Sequence, residues 1–370
     1  MRYMALATDY DGTLADGKIS NETASALERL RASGRRVILV TGRILDDLKT
    51  VCPRLDLFDY VVVENGAGLY DPRTKKETLL AARPPDALIH RLERLGVTPL
   101  QVGRVIVATW LPHHIAALRA IQELGLELHI VFNRAAVMIL PTGVNKASGM
   151  DAALRKLGLS PHEVVGIGDS ANDHSFLLRS ECPVAVADAE PSIRELASFV
   201  TSGGAGRGVT ELVDRLIEND LMETYGRQPQ HRVRLGLRED GSAVSIPPYG
   251  LNVLIAGPSG SGKSTAAVGI IEWLIDQDYQ VCIVDPEGDY GAIQEVVTLG
   301  NVHHAVKVSE VLTFLEDPQI NLNINLLGIP LADRPNFFCR LLPNLQSMRM
   351  RTARPHWIVL DEAHHMMPPE

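Results

Sequence analysis

Two acids near the amino terminus set the first chemical question. Asp9-Tyr10-Asp11-Gly12-Thr13-Leu14 directly follows the apolar run Met4-Ala5-Leu6-Ala7, which reads as a buried strand. Side chains alternate along an extended chain, so Asp9 and Asp11 share the space beyond the strand's end. Two carboxylates converging there repel each other and attract a divalent cation, and Gly12 lets the backbone turn sharply away. A carboxylate so placed can attack phosphorus, while a second acid protonates the leaving alkoxide and later activates water. The stretch implies a magnesium-dependent phosphoryl-transfer centre with Asp9 as nucleophile.

Other segments carry matching chemistry. Thr41-Gly42-Arg43 follows the apolar run Val37-Ile38-Leu39-Val40 and opens a helical pattern, where a hydroxyl and free N–H groups can hold a phosphate oxygen. Lys146 begins a later helical pattern and can neutralise a phosphate or the nucleophilic carboxylate. Gly168-Asp169-Ser170-Ala171-Asn172-Asp173 follows Val164-Val165-Gly166-Ile167 and adds two carboxylates suited to magnesium. An EF-hand calcium loop does not fit the first motif. Gly12 comes two places too early, and Ser20 stands where the closing glutamate belongs.

The elements that must gather these residues are legible as alternating patterns. Strands are predicted at residues 3–8, Arg36–Val40, Tyr60–Val63, Val164–Ile167 and Pro183–Val186. Helices are predicted at 21–33, 44–51, 146–157, 172–179, 190–197 and 208–219. Such alternation implies an α/β fold, a doubly wound parallel sheet with ligands beyond the carboxyl ends of its strands. The rhythm breaks between Arg83 and Leu140. There a helix through Leu95, strands near 97–101 and 104–110, a helix near 113–124 and strands near 126–132 and 135–140 form an α+β insertion. It reads as a cap, giving a core of residues 1–82 and 141–220 and a cap of 83–140.

In their order these motifs resemble the haloacid dehalogenase superfamily of phosphatases. The cap's position, with Glu64-Asn65-Gly66-Ala67 ahead of it, resembles the Cof-type branch, which includes phosphoglycolate, sucrose-phosphate, trehalose-phosphate and mannosyl-phosphoglycerate phosphatases. The resemblance implies Asp9 as nucleophile and magnesium ligand. It implies Asp11 as general acid/base, binding metal through its backbone carbonyl. Thr41, Gly42 and Lys146 would hold the phosphate, with Asn172 touching it. Asp169 would ligate Mg2+, and Asp173 would ligate through water or orient Asp169. The substrate expected is a small phosphorylated metabolite of the sugar phosphate or phosphoglycolate type.

A second phosphate motif lies downstream. Residues 221–250, with Gly226 and Pro229, read as a linker followed by a β-hairpin of His231–Leu237 and Ala243–Ile246 around Glu239-Asp240-Gly241. Residues 251–370 read as a second α/β, P-loop NTPase-like unit, opening with a strand over Leu251–Ala256 and a helix over Thr265–Ile275. Between them Gly257-Pro258-Ser259-Gly260-Ser261-Gly262-Lys263-Ser264-Thr265 satisfies G-x-x-x-x-G-K-[ST]. Backbone N–H groups at Gly257, Gly260 and Gly262 would wrap the phosphates of ATP. Lys263 would reach the terminal ones and Ser264, beside Thr265, would hold magnesium. Trp357-Ile358-Val359-Leu360-Asp361-Glu362 has the form of a buried Walker B strand. Asp361 would meet magnesium through water and Glu362 would polarise the attacking water. Val281–Val284 is a further strand, leaving through Asp285-Pro286-Glu287-Gly288-Asp289-Tyr290.

These pieces resemble the HerA/FtsK-type ATPases, whose members are usually ring-forming motors on DNA or protein. The resemblance implies nucleic acid and self-association as partners to test for this module. The chain stops at Glu370, soon after the Walker B strand, and further strands, a sensor residue and an arginine finger are not located. A fragment of a longer protein is the expectation, ahead of a module that binds nucleotide without efficient turnover. Arg340, Arg349, Arg351 and Arg354 give the stretch before Walker B a basic lean, read as a solvated face. His364-His365 read as ordinary post-strand residues rather than metal ligands, and His113-His114, opening a cap helix, as surface residues rather than ones facing the substrate.

Composition bounds the rest. A chain of 370 residues, 45% hydrophobic and 22% charged, is expected to form two or three globular domains. A net charge of −9 excludes a chain-wide nucleic-acid or membrane surface. Cys52, Cys182, Cys282 and Cys339 form no CxxC pair and read as reduced thiols. No secretory pattern opens the sequence and no apolar run approaches the roughly 18 residues of a membrane span, so a cytoplasmic location is expected. The leading reading is a phosphatase with an attached ATP-binding module. The alternative is a P-loop motor or switch to which the phosphatase is accessory.

Overall fold

A computed structural model of the chain describes residues 1–224, 231–258 and 260–367. Gly226 and Pro229 of the expected linker, Ser259 of the P-loop and the terminal Glu370 lie outside the described residues. The chain divides into two compact units: Tyr3–Leu157 with Glu163–Leu221, and Met1–Arg2 with Gly158–His162 and the described part of Met222–Glu370.

The first unit is built on strands β1 (Ala5–Thr8), β2 (Arg36–Val40), β3 (Tyr60–Val63), β4 (Gly68–Asp71) and β5 (Lys76–Leu79). Helices α1 (Asn21–Ala32) and α2 (Leu45–Val51) connect the first three strands. Helix α1 begins where the Ser20 hydroxyl accepts from Thr23 N at 3.1 Å, and it buries Thr23, Ala26, Leu27 and Leu30 at helical spacing. The cap follows, with α3 (Asp86–Arg94), β6 (Gln101–Val102), β7 (Val107–Trp110), α4 (His114–Glu123), β8 (Leu128–Asn133) and β9 (Ala136–Pro141). The chain then returns through α5 (Lys146–Leu157), β10 (Val164–Gly168), α6 (His174–Arg179), β11 (Cys182–Ala185), α7 (Pro191–Leu196), β12 (Phe199–Val200) and α8 (Ala205–Asn219).

The core sheet runs β12-β11-β10-β1-β2-β3-β4-β5. From β12 to β3 it is parallel, with β1 between β10 and β2 and wholly buried. The sequence reading lacked β4 and β5, which add antiparallel to the edge at β3. Positive φ at Glu64, Asn65 and Gly66 reverses the chain after β3 and makes this hairpin.

The cap sheet is antiparallel, in the order β6-β7-β9-β8. Its strand β9 shows the two-residue alternation of a sheet with both faces covered. Ile139 joins Leu88, Leu92, Ala117 and Ile121 under the cap helices, whereas Met138 and Leu140 pack with Ala67 and Val144 of the core.

The second unit contains the hairpin β13 (Val233–Leu237) and β14 (Ala243–Ile246), helix α9 (Lys263–Asp276), β15 (Val281–Asp285) and β16 (Val296–Leu299). Helix α10 (Val308–Leu315), β17 (Asn321–Asn325), α11 (Arg334–Thr352) and β18 (Trp357–Leu360) complete it. Its parallel sheet runs β16-β17-β15-β18.

The strand predicted over Leu251–Ala256 does not form. These residues are exposed and unpaired, and Leu254 is 89% exposed. A strand needs backbone partners, and β18 pairs on one side only, with β15. Helix α9 buries Ile271, Leu274 and Ile275 against Val281 and Ile283, so its second half anchors it while its first turns stay open. The same edge position leaves β18 only half-buried, where full burial was expected. The basic lean before β18 is not one solvated face either. Arg354 is buried, donating to Leu315 O at 3.0 Å and Gln280 Oε1 at 3.2 Å.

Candidate active site

The carboxyl ends of β1, β2 and β10 bring their motifs together. The Asp9 amide donates to Ile167 O at 3.1 Å, continuing the β1–β10 pairing one residue past the strand and fixing Asp9 beside the β10 loop. Gly12, with φ of +82°, then turns the chain away. A Cβ there would lie 2.6 Å from Asp169 Oδ2, so only glycine fits this approach.

Lys146 enters from the first turn of α5 and is fully buried. Its Nζ donates to Asp9 Oδ1 and to Asp173 Oδ1, both at 2.5 Å. Helix α5 comes this close because Gly66 carries no side chain, since a Cβ there would stand 1.9 Å from Asn145 O. Asp173 does two jobs, its other oxygen accepting from Asp169 N at 2.9 Å and Ser170 N at 3.0 Å. Thr13 Oγ1 donates to Asp169 Oδ1 at 2.9 Å. Asp9, Asp169 and Asp173, all buried, each offer an oxygen within 4.8 Å of the others.

Electrostatics follow from this crowding. Burial pushes the Asp9 carboxyl well above the usual carboxylate range, Asp173 adds to the rise, and Lys146 only partly opposes it. Asp169 is pushed up to about 6, by burial first and Asp173 second. For Lys146, burial works against the ammonium, but Asp173 and Asp9 outweigh it and the net shift is upward. One buried ammonium, with the exposed Arg134 guanidinium on Asp169, leaves three buried carboxylates short of positive charge. Hard oxygen donors this close fit a divalent cation such as Mg2+.

Asp11 stands apart from that trio. Its oxygens accept from Arg43 Nη2 and Nε, each at 2.7 Å, and Arg43 also reaches Asp47. The Asp11 side chain is partly exposed, at the solvent side of the site. Thr41 is buried, and its Oγ1 accepts from Arg43 N at 3.1 Å. A Cβ on Gly42 would lie 3.9 Å from Asn172 Nδ2, which itself donates to Asn65 Oδ1 at 3.4 Å. The contacts thus gather Asp9, Lys146, Asp169 and Asp173, set Gly42 near Asn172 and Thr41 against Arg43, and leave Asp11 held by Arg43.

Residues 6–93 and 117–213 match the family model of haloacid dehalogenase-like hydrolases. The chain is 31% identical over 220 residues to a phosphoglycolate phosphatase of Methanothermobacter thermautotrophicus, covering 58% of this chain and 98% of that protein. The chain belongs to the haloacid dehalogenase-like hydrolase family.

A phosphoglycolate phosphatase of Methanosarcina acetivorans is 27% identical over 224 residues, covering 59% of this chain and 99% of its own length. The solved structure of a HAD/COF-like hydrolase from Plasmodium vivax superposes with a TM-score of 0.50 at 20% identity, over 59% of this chain and 96% of that one, a likeness of fold. This haloacid dehalogenase-like hydrolase is thus an enzyme of the phosphoric monoester hydrolase class. Residues 251–354 match the family model of the helicase HerA central domain. No helix among the described residues is long and apolar enough to cross a membrane.

The P-loop residues are less closely assembled. Gly260 and Gly262 have positive φ, and α9 begins at Lys263 with Ser264 and Thr265 in its first turn. Gly257 opens the loop. Lys263 Nζ folds back to Pro258 O at 3.2 Å. Among the described residues no hydrogen bond or ion pair joins Lys263, Ser264 or Thr265 to Asp361 or Glu362. Glu362 instead pairs with His364 Nδ1 at 3.2 Å. Asp285 closes its own turn, accepting from the amides of Gly288, Asp289 and Tyr290 and from Asn323 Nδ2.

Sequence reasoning missed four site residues. Thr13 orients Asp169, Arg43 grips Asp11, and Asn65 abuts Asn172. Arg134, from the cap, places Nη2 3.1 Å from Asp169 Oδ2. The first three lay inside or beside quoted motifs. Arg134 had no local signal, because only the folded cap brings it to the core.

Proposed function

We propose that the protein is a magnesium-dependent phosphatase acting on a small phosphorylated metabolite, through an aspartyl-phosphate on Asp9. The observation that carries this reading is the buried Lys146 ammonium bridging Asp9 and Asp173, with Asp169 alongside. Asp9 Oδ attacks phosphorus as the ester P–O bond breaks, and Asp11 delivers a proton to the departing alkoxide. Asp11 then takes a proton from water, the resulting hydroxide forms a bond to phosphorus, and the P–Oδ bond to Asp9 breaks to release phosphate. Lys146, Thr41, Gly42 and Asn172 hold the phosphate oxygens throughout. A Mg2+ held by Asp9, the Asp11 backbone carbonyl and Asp169, with Asp173 reaching it through water or orienting Asp169, would offset repulsion between the anionic nucleophile and the phosphate. Arg43 must loosen its grip on Asp11 for the proton to move.

The relatives' names favour phosphoglycolate over a sugar phosphate. The test is a screen of phosphorylated metabolites with magnesium, wild type against Asp9→Asn. Phosphate release from 2-phosphoglycolate or a related small ester, absent in the variant, is expected. Release that survives Asp9→Asn would overturn the reading.

The HerA-type match supports a second proposal, that Gly257, Gly260, Gly262, Lys263, Ser264 and Thr265 bind ATP, with Asp361 and Glu362 as candidates for its hydrolysis. Calorimetry with ATP and magnesium should register binding that Lys263→Ala abolishes. Adding DNA tests whether nucleic acid stimulates turnover, and light scattering tests self-association through this module. A cytoplasmic location remains part of the proposal, in keeping with four free cysteines.

A further inference from the structure

We propose that Arg134, at the turn of the β8–β9 hairpin in the cap, determines specificity by receiving a carboxylate of the substrate while its phosphate lies at Asp9 and Lys146. The inference rests on the phosphatase reading above and names the residue that reads the other end of the substrate.

The backbone puts Arg134 where it can do this. Strands β8 and β9 pair to their last residues, Asn133 with Ala136, leaving Arg134 and Ala135 as the turn. Arg134 takes the positive φ, +51°, that such tight turns require. The guanidinium then reaches the core. Its Nη2 is 3.1 Å from Asp169 Oδ2 and 3.1 Å from where a Cβ on Gly12 would stand.

Charge accounting singles it out among the neighbouring cations. Lys146 is committed to Asp9 and Asp173, and Arg43 to Asp11 and Asp47. Arg134 is bonded through Nη2 alone among the described residues, and its side chain is 69% exposed. Four of the five guanidinium N–H donors therefore remain for a bidentate carboxylate. Asp169 is buried but the guanidinium itself lies at the surface, so a substrate carboxylate meets Arg134 from the solvent side of the pair.

The surroundings favour an acid over a sugar. The cap residues packed on the core beside the hairpin, Val131, Met138 and Leu140, are apolar. Met138 Sδ lies 3.6 Å from where a Cβ on Gly42 would stand, at the phosphate-holding turn. A sugar ring needs several polar partners for its hydroxyls, whereas a compact phosphorylated acid needs one well-placed cation at its far end.

The experiment compares 2-phosphoglycolate with 2-hydroxyethyl phosphate, a neutral counterpart of similar size, in wild type, Arg134→Ala and Arg134→Lys. The quantity read is the ratio of KM for the neutral ester to KM for the acid. It should fall about tenfold in Arg134→Ala, the loss of one charge-assisted contact, and recover in part in Arg134→Lys. A ratio unchanged by Arg134→Ala, whether or not both KM values rise together, overturns the proposal. If wild type hydrolyses no ester, the phosphatase reading fails separately. Calorimetric binding of the same two compounds to wild type and Arg134→Ala then decides the role of Arg134 by the same ratio.

Discussion

Lys146 Nζ and Asp9 Oδ1 meet at 2.5 Å inside the protein, with neither side chain meaningfully open to solvent. The pair is held as a triad, because Asp173 takes a second bond from the same ammonium. Buried charges of this kind are costly to leave without a partner, more so than the intact group is stabilising.

Lys146→Met should therefore unfold more readily than wild type by roughly 3–5 kcal/mol, because Asp9 and Asp173 lose their only bonded cation. Denaturant melts of the metal-free protein check this. Full activity together with unchanged stability would contradict the account.

Metal binding should depend on pH with a definite sign. Asp169 is pushed up to about 6, by burial and then Asp173, so the folded protein holds its proton more tightly than the unfolded chain does. Metal-free stability should thus fall as pH rises through the window from about 4 to 6. Mg2+ needs the ionised form, so magnesium should raise Tm markedly at pH 7.5 and little at pH 5. Equal shifts at the two pH values would count against the carboxylate trio as the metal site.

Besides the apolar contacts of Met138 and Leu140, one buried acid ties the cap to the core. Glu64, at the end of β3, accepts from the amides of Arg104, Val105 and Ile106 in the cap at 2.7, 2.7 and 2.8 Å. Glu64→Ala strands three donors that had a charged acceptor and should cost about 2 kcal/mol or more. Hydrogen exchange at residues 104–106 should accelerate while exchange in β1 changes far less. Unaltered exchange at those amides would show that the cap is held elsewhere.

What the sequence disclosed depended on how local each signal was. Asp9, Asp169 and Asp173 follow apolar runs whose strand character is complete within a few residues, so their convergence could be read from the strand ends, whereas Asp11 is drawn off to Arg43. Helix α5 and the cap elements were likewise locally specified. Glu64 and Arg134 were not, since each acts on a segment distant in sequence, through backbone amides or a hairpin turn. The miss at Leu251–Ala256 has a different cause. Its apolar residues satisfy every local criterion for a strand, but pairing is a property of the neighbour, and no described strand takes it up. Asp285 shows the converse, an acid at a strand exit that is spent on three amides of its own turn.

The central claim is that phosphate release belongs to Asp9, independently of the P-loop. The direct measurement is steady-state phosphate release from an aryl phosphate with magnesium, for wild type, Asp9→Asn and Lys263→Ala. The account predicts activity lost at least about a thousandfold in Asp9→Asn, as expected when a catalytic nucleophile is removed, and kept within about twofold in Lys263→Ala. Equal loss in both variants would contradict it.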